Sequence, residues 1–320
     1  MHANECYLRA KKEIWSFSED GLGRALKEIQ RGLKIIGKNE LLYATEGSIY
    51  LRYAFLAVDK EEYIEKIEEC ANKIFELNPN SPHGHFLSGL VQYQRRNIQK
   101  AVKHLKHTIA MDPQNPDALF WLVYFYATSG KNSEAKPLAE KLIEIDPLTP
   151  LNHLMPGWLA ELEGRFDISL EYKRKCYEME PENPWYRWVY AWILSYNKRF
   201  DEVFQIIDLI VKDTPQSRYA WQGLFHKYAV VGEKAKAMKL VTAEREKIAH
   251  DEVAFALAEC YALINEKEKA IDWLEIAVNC GYINYPFLND YNPFLANIRG
   301  EERFKKLMER VKYEWEHFEV

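Results

Sequence analysis

The chain has 320 residues, 48% of them hydrophobic and 28% charged, with a net charge of −5. That apolar content suffices for a large core. The mildly acidic balance, with no basic stripe, argues against nucleic acid as the main ligand, because phosphate binding needs clustered Lys and Arg.

In chain order, helix pairs are expected over 7–36 and 40–79, the second with a few extra residues near Asp59. From there the prolines set a phase. Pro79, Pro113, Pro147, Pro181 and Pro215 stand 34 residues apart, and Pro82, Pro116, Pro150 and Pro184 keep the same step. Gly130, Gly164 and Gly232 fall one and two periods apart. Three series in step mark an internal repeat. In each period the first Pro ends a helix and the second suits the first turn of the next, where a missing N–H is harmless. The Gly supplies a left-handed residue that closes the first helix of a pair. Apolar residues at helical spacing, such as Ala101, Leu105 and Ile109, lie between these marks. The spacing therefore predicts helix pairs over 82–113, 116–147, 150–181, 184–215 and 218–250, with a last one over 251–281 that slips by one residue. A single pair cannot bury its apolar face, so the pairs must stack.

A different text begins at Ile283: Asn-Tyr-Pro-Phe-Leu-Asn-Asp-Tyr-Asn-Pro-Phe-Leu, followed by a helix with Phe304, Leu307, Met308, Val311, Trp315 and Phe318 on one face. Residues 282–320 are expected to be a cap packed on the last repeat, after an array over 1–281.

A 34-residue helix–turn–helix period resembles the tetratricopeptide repeat, on the strength of Gly89, Gly157, Ala101, Ala135, Ala237 and the helix-ending prolines. Val123 departs from the small residue of that pattern's first helix, and Ser169 and Val203 from the Ala of its second, whereas Ala258, Tyr261, Ala270, Leu274 and Ala277 fit it in the last unit. The resemblance implies an all-α, right-handed superhelical solenoid of about eight pairs with a C-terminal capping loop and helix. It implies a non-catalytic scaffold that binds a protein or peptide. The C-terminal segment resembles the one closing repeat arrays in bacterial signalling proteins, including some serine/threonine kinases and adenylate cyclases. The alternative function is thus a regulatory or oligomerisation array, possible as a homodimer.

In such repeats positions 2, 5, 9 and 12 or 13 line a concave groove. Carried over, they give Phe86, Leu90, Tyr93, Phe120, Tyr124, Leu154, Trp158, Trp185, Trp188, Trp192, Tyr196, Tyr219 and His226. Trp185, Trp188, Trp192 and Tyr196 share an arc of about 80° at 100° per residue. Four aromatic side chains of roughly 150–250 Å² each exceed the patch a monomer usually exposes. Either a partner covers them, or neighbouring helices do, or the helix bearing Trp315 and Phe318 does. Basic residues that would hold an acidic tail are not matched, so the expected partner segment is apolar or aromatic, with neither nucleic acid nor membrane involved.

Chemistry finds little footing. His83 with His85, and His104 with His107, have spacings that can present two metal ligands, but no Cys or carboxylate completes either set, and no metal or cofactor is expected. Gly21-Leu22-Gly23 lacks the rest of a phosphate-loop pattern. Glu161 and Glu259 fall on groove faces, where paired carboxylates could serve a carbohydrate-active helical enzyme. That reading ranks below the scaffold, since a regular period leaves few of the long loops such sites use. Cys6, Cys70, Cys176, Cys260 and Cys280 form no CxxC pair and read as free thiols of a reducing compartment. With neither a signal-like start nor an apolar run of about 20 residues, the expected localisation is cytoplasmic.

Overall fold

The computed structural model describes residues 2–14, 19–57, 60–242 and 251–320, and among these every regular element is helical. The insertion near Asp59 and the end of the 218–250 unit lie outside the described residues.

The helices form pairs: α1 Ala3–Ile14 with α2 Glu19–Ile36, α3 Glu40–Leu56 with α4 Glu61–Leu77, α5 Pro82–Gln94 with α6 Ile98–Met111, and α7 Pro116–Thr128 with α8 Asn132–Ile145. They continue with α9 Pro150–Leu162 and α10 Phe166–Met179, α11 Pro184–Tyr196 and α12 Phe200–Asp213, and α13 Arg218–Val230 and α14 Lys234–Leu240. The last pair is α15 Asp251–Leu263 with α16 Lys267–Asn279. A π-turn at Phe287–Tyr291, a 3₁₀ turn at Pro293–Leu295 and α17 Glu302–Glu316 complete the chain.

The prolines do what their spacing implies. Pro82, Pro150 and Pro184 open helices behind Ser81, Thr149 and Asn183, and the Asn183 side chain accepts a hydrogen bond from the Trp185 N–H. Asn78, Asp146, Glu180 and Thr214 each cap a helix immediately before a proline of the other series. The left-handed closure is more regular than the glycines suggest. Gly130, Gly164 and Gly232 have φ of 68, 74 and 72°, but Arg96 and Lys198 occupy the vacant beats of the same 34-residue rhythm at 62 and 59°. Asn265, one residue early, keeps the conformation at 60° and records the slip of the last unit.

The chain divides into two compact units, residues 1–122 and 123–320. In the first, Cys6, Ala10 and Ile14 of α1 pack with Leu22, Ala25 and Ile29 of α2 and with Leu42 and Ile49 of α3. The second holds an aromatic core centred on α11. All five cysteines are buried and free. Among the described residues no helix is long and apolar enough to cross a membrane.

The C-terminal segment reaches further than a cap on the last repeat. Helix α17 does pack on α16, where Arg303 pairs with Glu268, Asp272 and Glu275. The strap before it, residues 282–300, crosses instead to the α7–α8 turn. The Ile283 N–H donates to the Thr128 carbonyl at 2.8 Å, the Asn284 amide donates to the Ala127 carbonyl at 2.9 Å, and Trp315 Nε1–H donates to the Gly130 carbonyl at 3.3 Å.

Gly130 offers a clean measure of that docking. A Cβ there would stand 2.7 Å from Trp315 Nε1, whereas one on Gly232 would meet nothing within 4 Å. Both residues are left-handed, so each Gly→Ala change should lose about 1–2 kcal/mol through backbone strain. Gly130→Ala is expected to lose roughly a further 1 kcal/mol by displacing Trp315. Urea denaturation of the two variants checks this; equal losses would mean that Trp315 adds nothing at the turn.

Candidate functional site

The aromatic stripe of α11 is enclosed. Trp185, Trp188, Trp192 and Tyr196 are 8, 6, 6 and 6% exposed. Trp188 packs on Trp192 at 4.9 Å and on Tyr219 at 5.8 Å between ring centroids. The Trp192 ring meets His226 edge-on at 3.9 Å. Tyr196 lies between Phe166, at 4.9 Å, and Phe294 of the strap, at 4.7 Å. Both neighbouring helices and the chain's own C-terminal segment therefore cover the stripe, the latter through Phe294 and not through the α17 helix face.

Polar groups bind this cluster together. Glu259 of α15 is wholly buried; its Oε2 accepts from Trp192 Nε1–H at 2.7 Å, and its Oε1 accepts from the Tyr196 hydroxyl and the Asn292 amide. One carboxyl group thus ties α11, α15 and the strap. Burial pushes its pKa up to about 8 against the pull of these donors, and the nearby Glu161 charge adds to the rise. Burial, with Glu259 beside it, also holds the Tyr196 hydroxyl well above the ordinary phenol range. His226 shares a 2.7 Å hydrogen bond with Ser195 Oγ through Nε2, and burial holds its pKa down to about 3. Glu161 forms a buried ion pair with Lys173 of α10. Both carboxylates weighed for sugar chemistry are thus engaged in holding helices together.

The other groove candidates divide by unit. In the second, Leu154, Tyr219 and His226 are buried, while Tyr124 and Trp158 are half-buried and pair at 5.3 Å. In the first, Phe86, Leu90, Tyr93 and Phe120 are buried. Tyr93 contacts Phe55 at 6.2 Å and Trp121 at 5.4 Å. Phe86 lines a cavity of about 410 Å³ within this unit.

That cavity lies among the first helices of successive pairs. Helix α1 contributes Tyr7, Leu8 and Lys11; α3 contributes Thr45, Ser48 and Arg52; α5 contributes His83 and Phe86; α7 contributes Asp117 and Trp121. The floor is apolar and aromatic, with Phe86 and Trp121 buried, and Leu8 stands 63% exposed on α1. Arg52 lies 5.7 Å over both the Phe55 and Trp121 rings, which positions a cation on aromatic faces. The Tyr7 hydroxyl donates to Asp117 Oδ2 at 3.3 Å, and Lys11 stands 4.0 Å from the same carboxylate, so α1 reaches the start of α7. Burial holds the His83 imidazole below its ordinary range, with Glu40, Asp112 and Asp117 pulling the other way.

Of the thirteen groove residues read from the sequence, only Phe86 lines this cavity. His83 and Asp117 sit at groove position 2 of their repeats, and restricting attention to apolar side chains passed over them. Tyr7, Lys11 and Arg52 belong to the two units without the paired proline marks, where no position numbers could be assigned. Trp121 lies beside the chosen Phe120.

Comparison with known proteins agrees with the fold. The tetratricopeptide repeat family matches residues 92–154. Cellulose synthase operon protein C of Pseudomonas fluorescens is 26% identical over 147 residues, 43% of this chain and 12% of that protein. Transcriptional regulator HilA of Salmonella typhimurium is 22% identical over 165 residues, 51% of this chain and 30% of its own length. The chain thus spans less than a third of either curated relative. Among solved structures, the Cut9–Hcn1 hetero-tetramer of APC/C aligns with a TM-score of 0.63 at 15% identity, over 91% of this chain and 52% of that one. The human IFIT1 dimer with PPP-AAAA gives 0.55 at 13% identity, over 82% and 69%. At these identities the likeness concerns the fold.

Proposed function

We propose that this chain, whose residues 92–154 match the tetratricopeptide repeat family, is a protein-interaction scaffold holding a partner's peptide segment in the cavity of its first unit. The observation that carries this is the cavity itself: about 410 Å³ among the first helices of successive pairs, with an aromatic floor and a polar rim. That volume lies within the range of roughly 300–1,000 Å³ usual for ligand sites. Its charge is mixed, with Lys11 and Arg52 lining it together with Asp112 and Asp117. Mixed charge over buried aromatics suits an apolar or aromatic side chain of a peptide better than a phosphate backbone. Five free, buried cysteines suit a reducing compartment, the cytoplasm among them.

The second unit is the weaker candidate for a partner site. Its stripe already has an occupant, the strap, which sets Phe287, Leu288, Leu295 and Ile298 wholly out of solvent. Full burial of each such side chain is worth about 1.5–3 kcal/mol, so a competitor must replace a large apolar surface before it gains any contact of its own.

The test is a peptide-library selection against the full chain, followed by affinity measurements on the selected peptides. Leu8→Glu, at an exposed rim position, should weaken binding at least about tenfold, or about 1.4 kcal/mol. Tyr313→Glu, equally exposed but on α17, should leave affinity unchanged. Equal affinity for wild type and Leu8→Glu would move the partner site off this cavity.

A further inference from the structure

Helices α5 and α6 bring together histidines that are far less suggestive apart. His85 Nδ1 lies 3.3 Å from His104 Nδ1, and the His107 ring packs 4.0 Å from the His85 ring between centroids. His107 is exposed and the other two are half-buried, so an ion from solvent can reach them. An N–H···N bond accounts for 3.3 Å with one ring as donor and the other as acceptor. So does a metal bridge: zinc–imidazole bonds of about 2.0–2.1 Å at a tetrahedral angle set two ligand nitrogens about 3.3–3.4 Å apart.

We propose that His85 and His104 form a binding site for a divalent transition ion of the zinc type, each coordinating through Nδ1 and water completing the sphere. Among the described residues no group of three or more His, Cys, Asp or Glu side chains is arranged to hold a metal. The site therefore rests on two protein ligands and exchanges its ion readily. Entry of the ion asks only that the donor ring move its proton from Nδ1 to Nε2, leaving a lone pair on each Nδ1 with no net proton release. Imidazole nitrogens favour zinc, nickel or copper over the oxygen-seeking magnesium and calcium. A bound ion would pin α5 to α6, and α5 is the helix that carries His83 and Phe86 into the cavity.

Calorimetric titration of Zn²⁺ into the tag-free full chain tests the site. Wild type should take up about one equivalent, and His104→Gln and His85→Gln should each bind at least about tenfold more weakly. His317→Gln, just past the end of α17, should match wild type, and Mg²⁺ should give no binding heat. Should His85→Gln fail to fold in EDTA, His104→Gln on the partner helix carries the test. Equal zinc affinity in wild type and folded His104→Gln, or no uptake by wild type at about 1 mM Zn²⁺, would overturn the assignment.

Discussion

Cutting the chain after Gly281 is expected to abolish the cooperative unfolding transition of residues 123–281. The strap is the cover of that unit's core. Removing it uncovers Tyr196 on its Phe294 side and Phe255, which stacks on Tyr282 at 4.5 Å and meets Phe287 at 5.9 Å. Aromatic side chains bury roughly 150–250 Å² each, and a patch beyond about 300–600 Å² is seldom tolerated on a monomer. The α7–α8 turn also loses the donors from Ile283, Asn284 and Trp315. The truncated chain should bind a hydrophobic dye and lose amide protection in α11 and α15, and helix α11 should become the most exchange-prone part of its core. A truncated chain that melts within a few degrees of full length would show the strap to be a dispensable cover.

The second large effect is expected at Glu259. Glu259→Ala leaves three buried donors, on Trp192, Tyr196 and Asn292, without their acceptor. An orphaned buried donor costs about 1–3 kcal/mol, so the loss should be at least about 3 kcal/mol, against a typical domain stability of about 5–15 kcal/mol. The same residue sets a pH dependence. Its folded pKa of about 8 lies above the ordinary 4.5, so the native state holds a proton that the unfolded chain releases. Its stabilising contribution is complete below about pH 4.5 and is lost as pH rises toward 8. His226 acts in the opposite sense: with a folded pKa of about 3 against 6.5, its contribution is present above about pH 6.5 and lost as pH falls toward 3. The two slopes oppose one another in the window they share. Between about pH 7 and 8 Glu259 sets the main slope, and stability should fall by up to about 1.4 kcal/mol per pH unit; closer to pH 9 the buried Cys70 and Cys176 thiols, whose pKa burial raises, add to the fall. Glu259→Gln should flatten that fall, as followed by urea denaturation between pH 6 and 9. An unchanged slope in the variant would assign it to another group.

What the sequence disclosed follows from how each feature is written in it. Proline and glycine constrain the backbone of their own neighbourhood, so the 34-residue beat is written in the turns from Pro82 to Gly232. Arg96 and Lys198 adopt the left-handed conformation without announcing it, because there the stacked helices impose the turn on residues that do not favour it. The strap's docking was not legible for a different reason. Asn284 meets Ala127 across 157 residues, and a contact that long leaves no periodicity. Its Pro-Phe-Leu triplets were visible as a loop, and their destination was not. The spacing from Trp185 to Tyr196 puts these four on one arc of α11, but a face toward a partner and a face toward one's own C-terminus have the same apolar pattern. The open cavity was largely missed because its rim is polar and its first two helices carry no phase marks.

The strap also governs when the second unit can fold. Repeat arrays ordinarily fold by local contacts, each pair able to dock as soon as its neighbour exists. Here the turn after α7 waits for Ile283 and Asn284, and Gly130 waits for Trp315, 185 residues later. Such a closure carries the loop entropy of a long, non-local contact. On the ribosome, helices α8 to α14 are therefore made well before the segment that seals the unit, and the aromatic faces of this unit are the surface a chaperone would meet in that interval.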